Sequence, residues 1–195
     1  LATLAFDYPR RATFFRGELE HFLLLARDLR VDPLAPRGSF AGALGMPQFM
    51  PGSYRAFAVD FDGDGRIDLW QSADDVIGSV AAYLARHDWQ RGQPVLLPAT
   101  AEGEGGALLL RRVEAGGGLS ERRALEAWTA EGLAVAVPSG FAAEPVGVLA
   151  LERRDAEPEL FLAAHNFYVI TRYNRSRLYA ATVAMLAQAI SAADR

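Results

Sequence analysis

The chain has 195 residues, 51% hydrophobic and 23% charged. That composition excludes a disordered or collagen-like chain, and the length suffices to bury a core without disulfide or metal. Twenty basic against 24 acidic side chains give a net charge of −4, which argues against a general nucleic-acid binder, and the absence of cysteine excludes thiol catalysis, zinc–thiolate sites and disulfide frameworks.

No uncharged apolar run reaches the roughly 18 residues of a transmembrane helix. Leu1 opens the chain with neither methionine nor a basic segment ahead of an apolar stretch. This predicts a mature or truncated fragment, with any signal peptide or lipid anchor upstream.

Three regions follow in chain order. Residues 1–92 read mostly as helices and special loops. Phe14, Phe15, Leu19, Phe22, Leu23, Ala26 and Leu29 recur at helical spacing and predict a helix ending before Pro33. Residues 33–47 are a Pro- and Gly-rich loop, and Pro47 is placed to start a short helix carrying Gln48, Phe49 and Met50. Val76, Val80, Tyr83 and Leu84 predict an amphipathic helix over 75–87, capped by an aspartate. Residues 93–158 alternate short apolar runs with Gly and Pro. Val95–Leu97, Ala107–Leu110, Leu133–Val137 and Val146–Leu151 read as strands, interrupted by a helix over Ser120–Glu131. In 159–195, Tyr179, Val183, Leu186 and Ile190 predict a C-terminal helix. The fold class is α+β: a mainly helical domain interrupted by a small β-rich insertion, with the last helix returning to the first domain.

The most specific motif is Asp60-Phe-Asp62-Gly-Asp64-Gly65-Arg66-Ile67-Asp68. Carboxylates at loop positions 1, 3 and 5 with glycine at 6 follow the calcium loop of an EF-hand over 60–75. Alternate residues of a tight loop point inward, so three hard oxygens converge on one cation. Arg66 offers its main-chain carbonyl and Ile67 packs inward. Position 12 is Gln71, not Glu, so the further carboxylate falls to Asp75 in preference to Asp74, with Asp68 acting through water or not at all. The expected ion is one structural Ca2+, with no organic cofactor.

Gly38 to Tyr54 reads Gly-Ser-Phe-Ala-Gly-Ala-Leu-Gly-Met-Pro-Gln-Phe-Met-Pro-Gly-Ser-Tyr. It admits two readings: a buried loop packed on a helix, or a close-approach wall along which sugar rings run, with Ser39 and Gln48 as its polar contacts.

This segment resembles the signature of the lytic murein transglycosylase B family of peptidoglycan-cleaving enzymes. Four other stretches agree: Ala2-Thr-Leu-Ala-Phe-Asp-Tyr-Pro-Arg-Arg11, the aspartate loop followed by Trp70, Ile77-Gly-Ser-Val-Ala-Ala-Tyr83, and Asn166-Phe-Tyr-Val-Ile-Thr-Arg-Tyr-Asn-Arg-Ser-Arg-Leu-Tyr179. The resemblance is dense over 1–92 and 160–190 and weak over 95–158. It implies a lysozyme-like α domain with a small inserted β domain and one calcium loop. The implied activity is non-hydrolytic cleavage of the β-1,4 bond between N-acetylmuramic acid and N-acetylglucosamine, leaving a 1,6-anhydromuramoyl end. By position, the implied glycan groove comprises Arg10, Arg11, Ser39, Gln48, Phe49, Tyr83, Tyr173, Asn174 and Tyr179. Tyr83 and Tyr179 also have a plain reading as core residues at helical spacing. Arg10 and Arg11 have one as a solvated pair, beside their reading as receivers of muropeptide carboxylates.

The resemblance also implies one catalytic glutamate, first acid toward the leaving oxygen and then base toward the sugar's 6-hydroxyl. In the family it stands in a Gly-Val-Glu-Thr-like helix before the Tyr-Pro-Arg-Arg motif, so it is expected upstream of Leu1. Glu18 and Glu20 lie after that motif and do not match. The chain is therefore expected to be an inactive portion of a periplasmic enzyme acting as a monomer on peptidoglycan strands. Its only membrane association would run through an unseen N-terminal lipid anchor in the outer membrane. The alternatives are a non-catalytic, calcium-stabilised peptidoglycan-binding module and a calcium-loop interaction domain with no glycan role.

Overall fold

A computed structural model of the chain describes residues 1–142 and 144–193; Ala143 in the second region and the last two residues of the third lie outside the described residues. The fold is mixed: helices and one small antiparallel sheet. It divides into two compact units, Leu1–Arg86 and His87–Arg195.

The first unit is helical. It contains α1 (Ala2–Phe6), a 3-10 turn at Pro9–Arg11, α2 (Ala12–Leu29), α3 (Pro51–Phe57) and α4 (Ala73–Arg86). α2 stops where Arg30 takes the left-handed conformation at φ 56°. The Val31 amide then donates back to the Ala26 carbonyl at 3.0 Å, so the last carbonyls of the helix stay paired. α2 buries Phe15, Leu25 and Ala26, whereas Phe14 and Leu23 are exposed.

Two local expectations are corrected in this unit. Residues 45–48 form a turn, and Pro51, not Pro47, is the first helical residue. α4 is capped by Ser72, whose Oγ accepts from the Asp75 amide at 3.2 Å, not by an aspartate.

The second unit is built on a four-stranded antiparallel sheet. Its strands are β1 (Leu96–Ala101), β2 (Leu133–Val135), β3 (Gly147–Arg153) and β4 (Ala156–Ala163), in the spatial order β2-β1-β4-β3. Side chains alternate across it, as strand geometry requires. Val148, Ala150, Leu160 and Leu162 face one cluster with Leu109 and Val113 of α5 (Gly103–Ala115) and Trp128 of α6 (Leu125–Ala130). Leu96, Leu149 and Ala163 face the other, with Phe167 and Ile170 of α7 (His165–Tyr173) and Ala180, Ala181 and Ala184 of α8 (Arg177–Ala193). The helices of the third sequence region thus pack on the sheet within one unit.

Three further corrections belong here. Ala107–Leu110 is not a strand but lies inside α5, since an Ala-Leu-Leu-Leu run continues into good helix formers. The expected helix over Ser120–Glu131 shortens to Leu125–Ala130, because the backbone at 119 and 123 bridges to 149 and 146. α8 buries Ala180, Ala181 and Ala184, while Val183, Leu186 and Ile190 are exposed. Asn166, fully buried, fastens the start of α7 to the chain entering β1. Its Oδ1 accepts from the Gln90 amide and its Nδ2 donates to the Gln90 and Gln93 carbonyls, each at 2.9 Å.

Candidate functional site

Residues 38–50 form two tight hairpins sharing one strand, with backbone bridges Gly38–Leu44 and Leu44–Phe49. Gly45 stands at φ 65° with the Leu69 carbonyl oxygen 2.5 Å from where a Cβ would lie, so a larger residue there would push the loop off its neighbour. The Met46 amide donates to that same carbonyl at 2.8 Å. The second hairpin turn ends on Gln48, which is exposed and held at φ 54°, a conformation a residue with a Cβ adopts at a cost. Its side-chain Nε2 donates to the Gly45 carbonyl at 2.9 Å, which fixes the amide at the surface. Gln48 is therefore not a core amide.

Phe49 and Tyr83, expected on the groove, are residues only 2% and 7% exposed. They pack on each other at 5.8 Å between centroids, and Tyr83 meets Phe57 edge-on at 4.8 Å. For Tyr83 this matches its plain reading as a core residue at helical spacing, and Phe49 packs on it from the loop. Ser39 is half-buried; its Oγ accepts from the Ala43 amide at 3.1 Å. Arg10 and Arg11 are exposed on the 3-10 turn, and the Arg11 guanidinium lies 4.5 Å from the Phe14 ring centre and 5.0 Å from that of Phe15.

The remaining expected groove residues are in the second unit. The Tyr173 and Tyr179 rings lie parallel, with 6.4 Å between centroids and 2° between planes, at the turn joining α7 to α8. Asn174 is exposed, and its Oδ1 accepts from the Ser176 amide at 3.0 Å. Ser176 Oγ accepts from the Tyr179 amide at 3.3 Å, so this turn is also the cap of α8.

The aspartate loop folds around its own amides. Asp60 accepts from Gly63 at 2.7 Å and from Gly65 at 2.8 Å, Asp62 from Asp64 at 3.1 Å, and Asp64 from Arg66 at 2.8 Å. Asp75, 1% exposed, spans the loop: one oxygen takes the Phe61 amide at 2.8 Å and the other the Asp68 amide at 2.7 Å. Those two amides hold its carboxyl below the ordinary carboxylate value. Carboxylate oxygens of Asp60, Asp62 and Asp75 lie within 4.8 Å of one another. Such an all-oxygen donor set suits a hard divalent cation. Asp64 is outside this group, and Asp74, exposed, is outside it too. Ile67 is half-buried, and its carbonyl accepts from the Tyr54 hydroxyl at 2.7 Å; burial pushes that hydroxyl up to about 12.

Ser72 is a site residue that no motif above singles out, and Glu18, set aside above as the catalytic acid, has a structural role. Ser72 Oγ donates to Asp62 at 2.8 Å besides capping α4, and its signal was the Ser-x-x-Asp spacing to Asp75. Glu18 accepts from the Gly52 amide at 2.8 Å; a contact 34 residues away leaves no local trace.

A family model described as the transglycosylase SLT domain matches residues 1–188. The chain is 44% identical over 193 residues to the membrane-bound lytic murein transglycosylase B of Escherichia coli K12, a match covering 99% of this chain and 50% of that protein. The Escherichia coli lytic transglycosylase SLT35, solved with bulgecin A, superposes with a TM-score of 0.84 at 43% identity, over 98% of this chain and 57% of that one. SLT35 has also been solved in complex with calcium, with a TM-score of 0.83 at 43% identity over 98% of this chain and 58% of that one. SltB3 of Pseudomonas aeruginosa, in complex with NAG-anhNAM-pentapeptide, gives 0.78 at 32% identity over 97% of this chain and 49% of that one. The chain thus spans about half the length of the curated relative it matches. Among the described residues, no helix is long and apolar enough to cross a membrane.

Proposed function

This chain belongs to the transglycosylase SLT domain family, and from that premise we propose that it is the glycan-binding part of a peptidoglycan lytic transglycosylase. The reaction breaks the β-1,4 bond between N-acetylmuramic acid and N-acetylglucosamine. The muramoyl 6-hydroxyl oxygen bonds to C1, giving a 1,6-anhydro end. One proton passes to the leaving oxygen and one is taken from the 6-hydroxyl, so no water is consumed. The enzyme works in the periplasm on peptidoglycan strands, as a monomer, with the helical unit as its lysozyme-like portion.

Gln48 carries this reading. An amide exposed on a strained turn and locked by its own loop is a built contact group, and sugars offer it hydroxyl and acetamido partners. Ser39, Arg10 and Arg11 belong to the same unit as Gln48, and Tyr173, Asn174 and Tyr179 are glycan contacts of the second unit taken by itself. Phe49 and Tyr83 position the Gln48 loop from below.

The aspartate loop holds one structural calcium through Asp60, Asp62 and Asp75, with Asp64 and the Arg66 carbonyl completing the set. The ion supplies stability, not chemistry. Support comes from the converging carboxylates and from the relative SLT35 solved with calcium.

No carboxylate of this chain is assigned the acid–base role: Glu18 and Glu20 lie after the Tyr-Pro-Arg-Arg motif, and Glu18 is engaged with Gly52. That engagement favours, as a second reading, a module that binds glycan without cleaving it. Purified sacculi test both. Binding by the 195-residue chain is expected, and failure to bind overturns the glycan reading. Release of 1,6-anhydromuropeptides by the chain itself would overturn the assignment of no acid.

A further inference from the structure

Phe40 is 92% exposed, the most exposed large hydrophobic side chain among the described residues, and it does not sit on a loose loop. It lies in a turn closed on both sides. The Ser39 amide donates to the Ala43 carbonyl at 2.8 Å, the Gly42 amide to the Ser39 carbonyl at 2.8 Å, and the Ala43 amide to Ser39 Oγ at 3.1 Å. Gly42, at φ 89°, lets the turn rest against Leu1, whose side chain comes within 2.5 Å of where a Cβ would stand. A fixed turn therefore presents a whole aromatic ring to solvent.

The turn is the first of the two hairpins that share the strand through Leu44, and Gln48 ends the turn of the second. The two turns share Leu44, so the aromatic ring and the amide stand on consecutive turns of one segment.

We propose that Phe40 is a stacking platform for a pyranose ring, positioning one sugar of a glycan strand while Gln48 contacts a neighbouring one. The proposal rests on the glycan reading above. A pyranose offers a face of C–H bonds between its equatorial hydroxyls, and that face packs on the electron-rich face of a phenyl ring. Because the turn is already ordered, stacking fixes only the two torsions of one side chain.

The test is calorimetric titration of the 195-residue chain with a peptide-free GlcNAc–MurNAc tetrasaccharide. Phe40→Ala and Phe40→Leu are each expected to weaken binding about three- to tenfold, the size of an aromatic pairing term. Phe40→Trp is expected to retain binding and to change its fluorescence as sugar is added. Melting temperatures should not move, because the ring is not packed. If Phe40→Ala binds like the parent while Gln48→Ala is weakened, the glycan reading stands and the platform is overturned. If Phe40→Leu binds like the parent, apolar bulk and not the ring is at work, and the platform is overturned. If the parent does not bind the sugar, both fall. A lowered melting temperature in Phe40→Ala would show the ring to be packed and would likewise overturn it.

Discussion

The Glu18 carboxylate, in the middle of α2, accepts the Gly52 amide at 2.8 Å and so closes the first turn of α3 from another helix. α3 begins after Met50 with no side-chain cap of its own, and Glu18 fills that place from a distance. Glu18→Ala is expected to lower stability by about 1 kcal/mol in urea unfolding, the size of a lost cap. Glu18→Gln keeps an acceptor and should recover most of the loss. A catalytic acid would give the opposite pattern, with stability indifferent to either change.

Calcium binding is the second prediction. Added calcium should raise the melting temperature, equivalent to about 2.7 kcal/mol at a hundredfold excess over Kd, and a chelator should reverse it. Asp62→Ala removes one of the three converging carboxylates, so most of the response should be lost. Asp74→Asn should respond like the parent, since Asp74 is exposed and outside the converging group.

Glu131 sets a pH dependence in the second unit. Arg112 and Arg123 both pair with its carboxylate, Arg123 at 2.7 Å, and both guanidinium groups lie against the Trp128 ring. Hydrogen bonds from Arg112 and then Arg123 hold the carboxyl below the ordinary 4.5. A folded value below the unfolded one means the contribution is complete above 4.5 and is lost as pH falls through the lowered folded value. The stability gap between the parent and Glu131→Gln should therefore narrow from about pH 6 to about pH 3, read as urea midpoints. A constant gap would mean that packing, not charge, sets it.

Gln48 separates stability from binding. At φ 54° its backbone is strained, and glycine removes that strain. Gln48→Gly is expected to match or exceed the parent's stability, by up to about 1 kcal/mol, while binding glycan more weakly. Equal glycan affinity in calorimetry would remove Gln48 from the site.

Periodicity and spacing revealed α2, α4, three of the four strands and the aspartate loop, because each rests on residues close in sequence. β4 was missed where Pro158 and two glutamates obscure an alternation that only Leu160 and Leu162 declare. α5 was mistaken because four apolar residues look alike in helix and strand. Within the candidate site, the loop bearing Gln48 was legible as Gly- and Pro-rich, but the start of α3 was not. Pro47 and Pro51 are both acceptable first residues, and Glu18 caps the turn that begins at Pro51. The burial of Phe49 and Tyr83 depends on Phe57 arriving from another helix, which spacing does not encode.

The strand order carries a consequence for synthesis on the ribosome. β1 lies inside the sheet, and its partner on one side is β4, whose pairing runs from Leu96 with Ala163 to Ala99 with Leu160. More than fifty residues must leave the exit tunnel after β1 before that partner exists, whereas β3 and β4 are a local hairpin. Until then β1 presents an open edge bearing Leu96 and Leu97, the kind of surface that recruits nascent-chain chaperones or pairs with a neighbouring polysome product. The helical unit, ending at Arg86, has by then fully emerged. Slowed translation before residue 163 should therefore harm the sheet unit of this protein selectively.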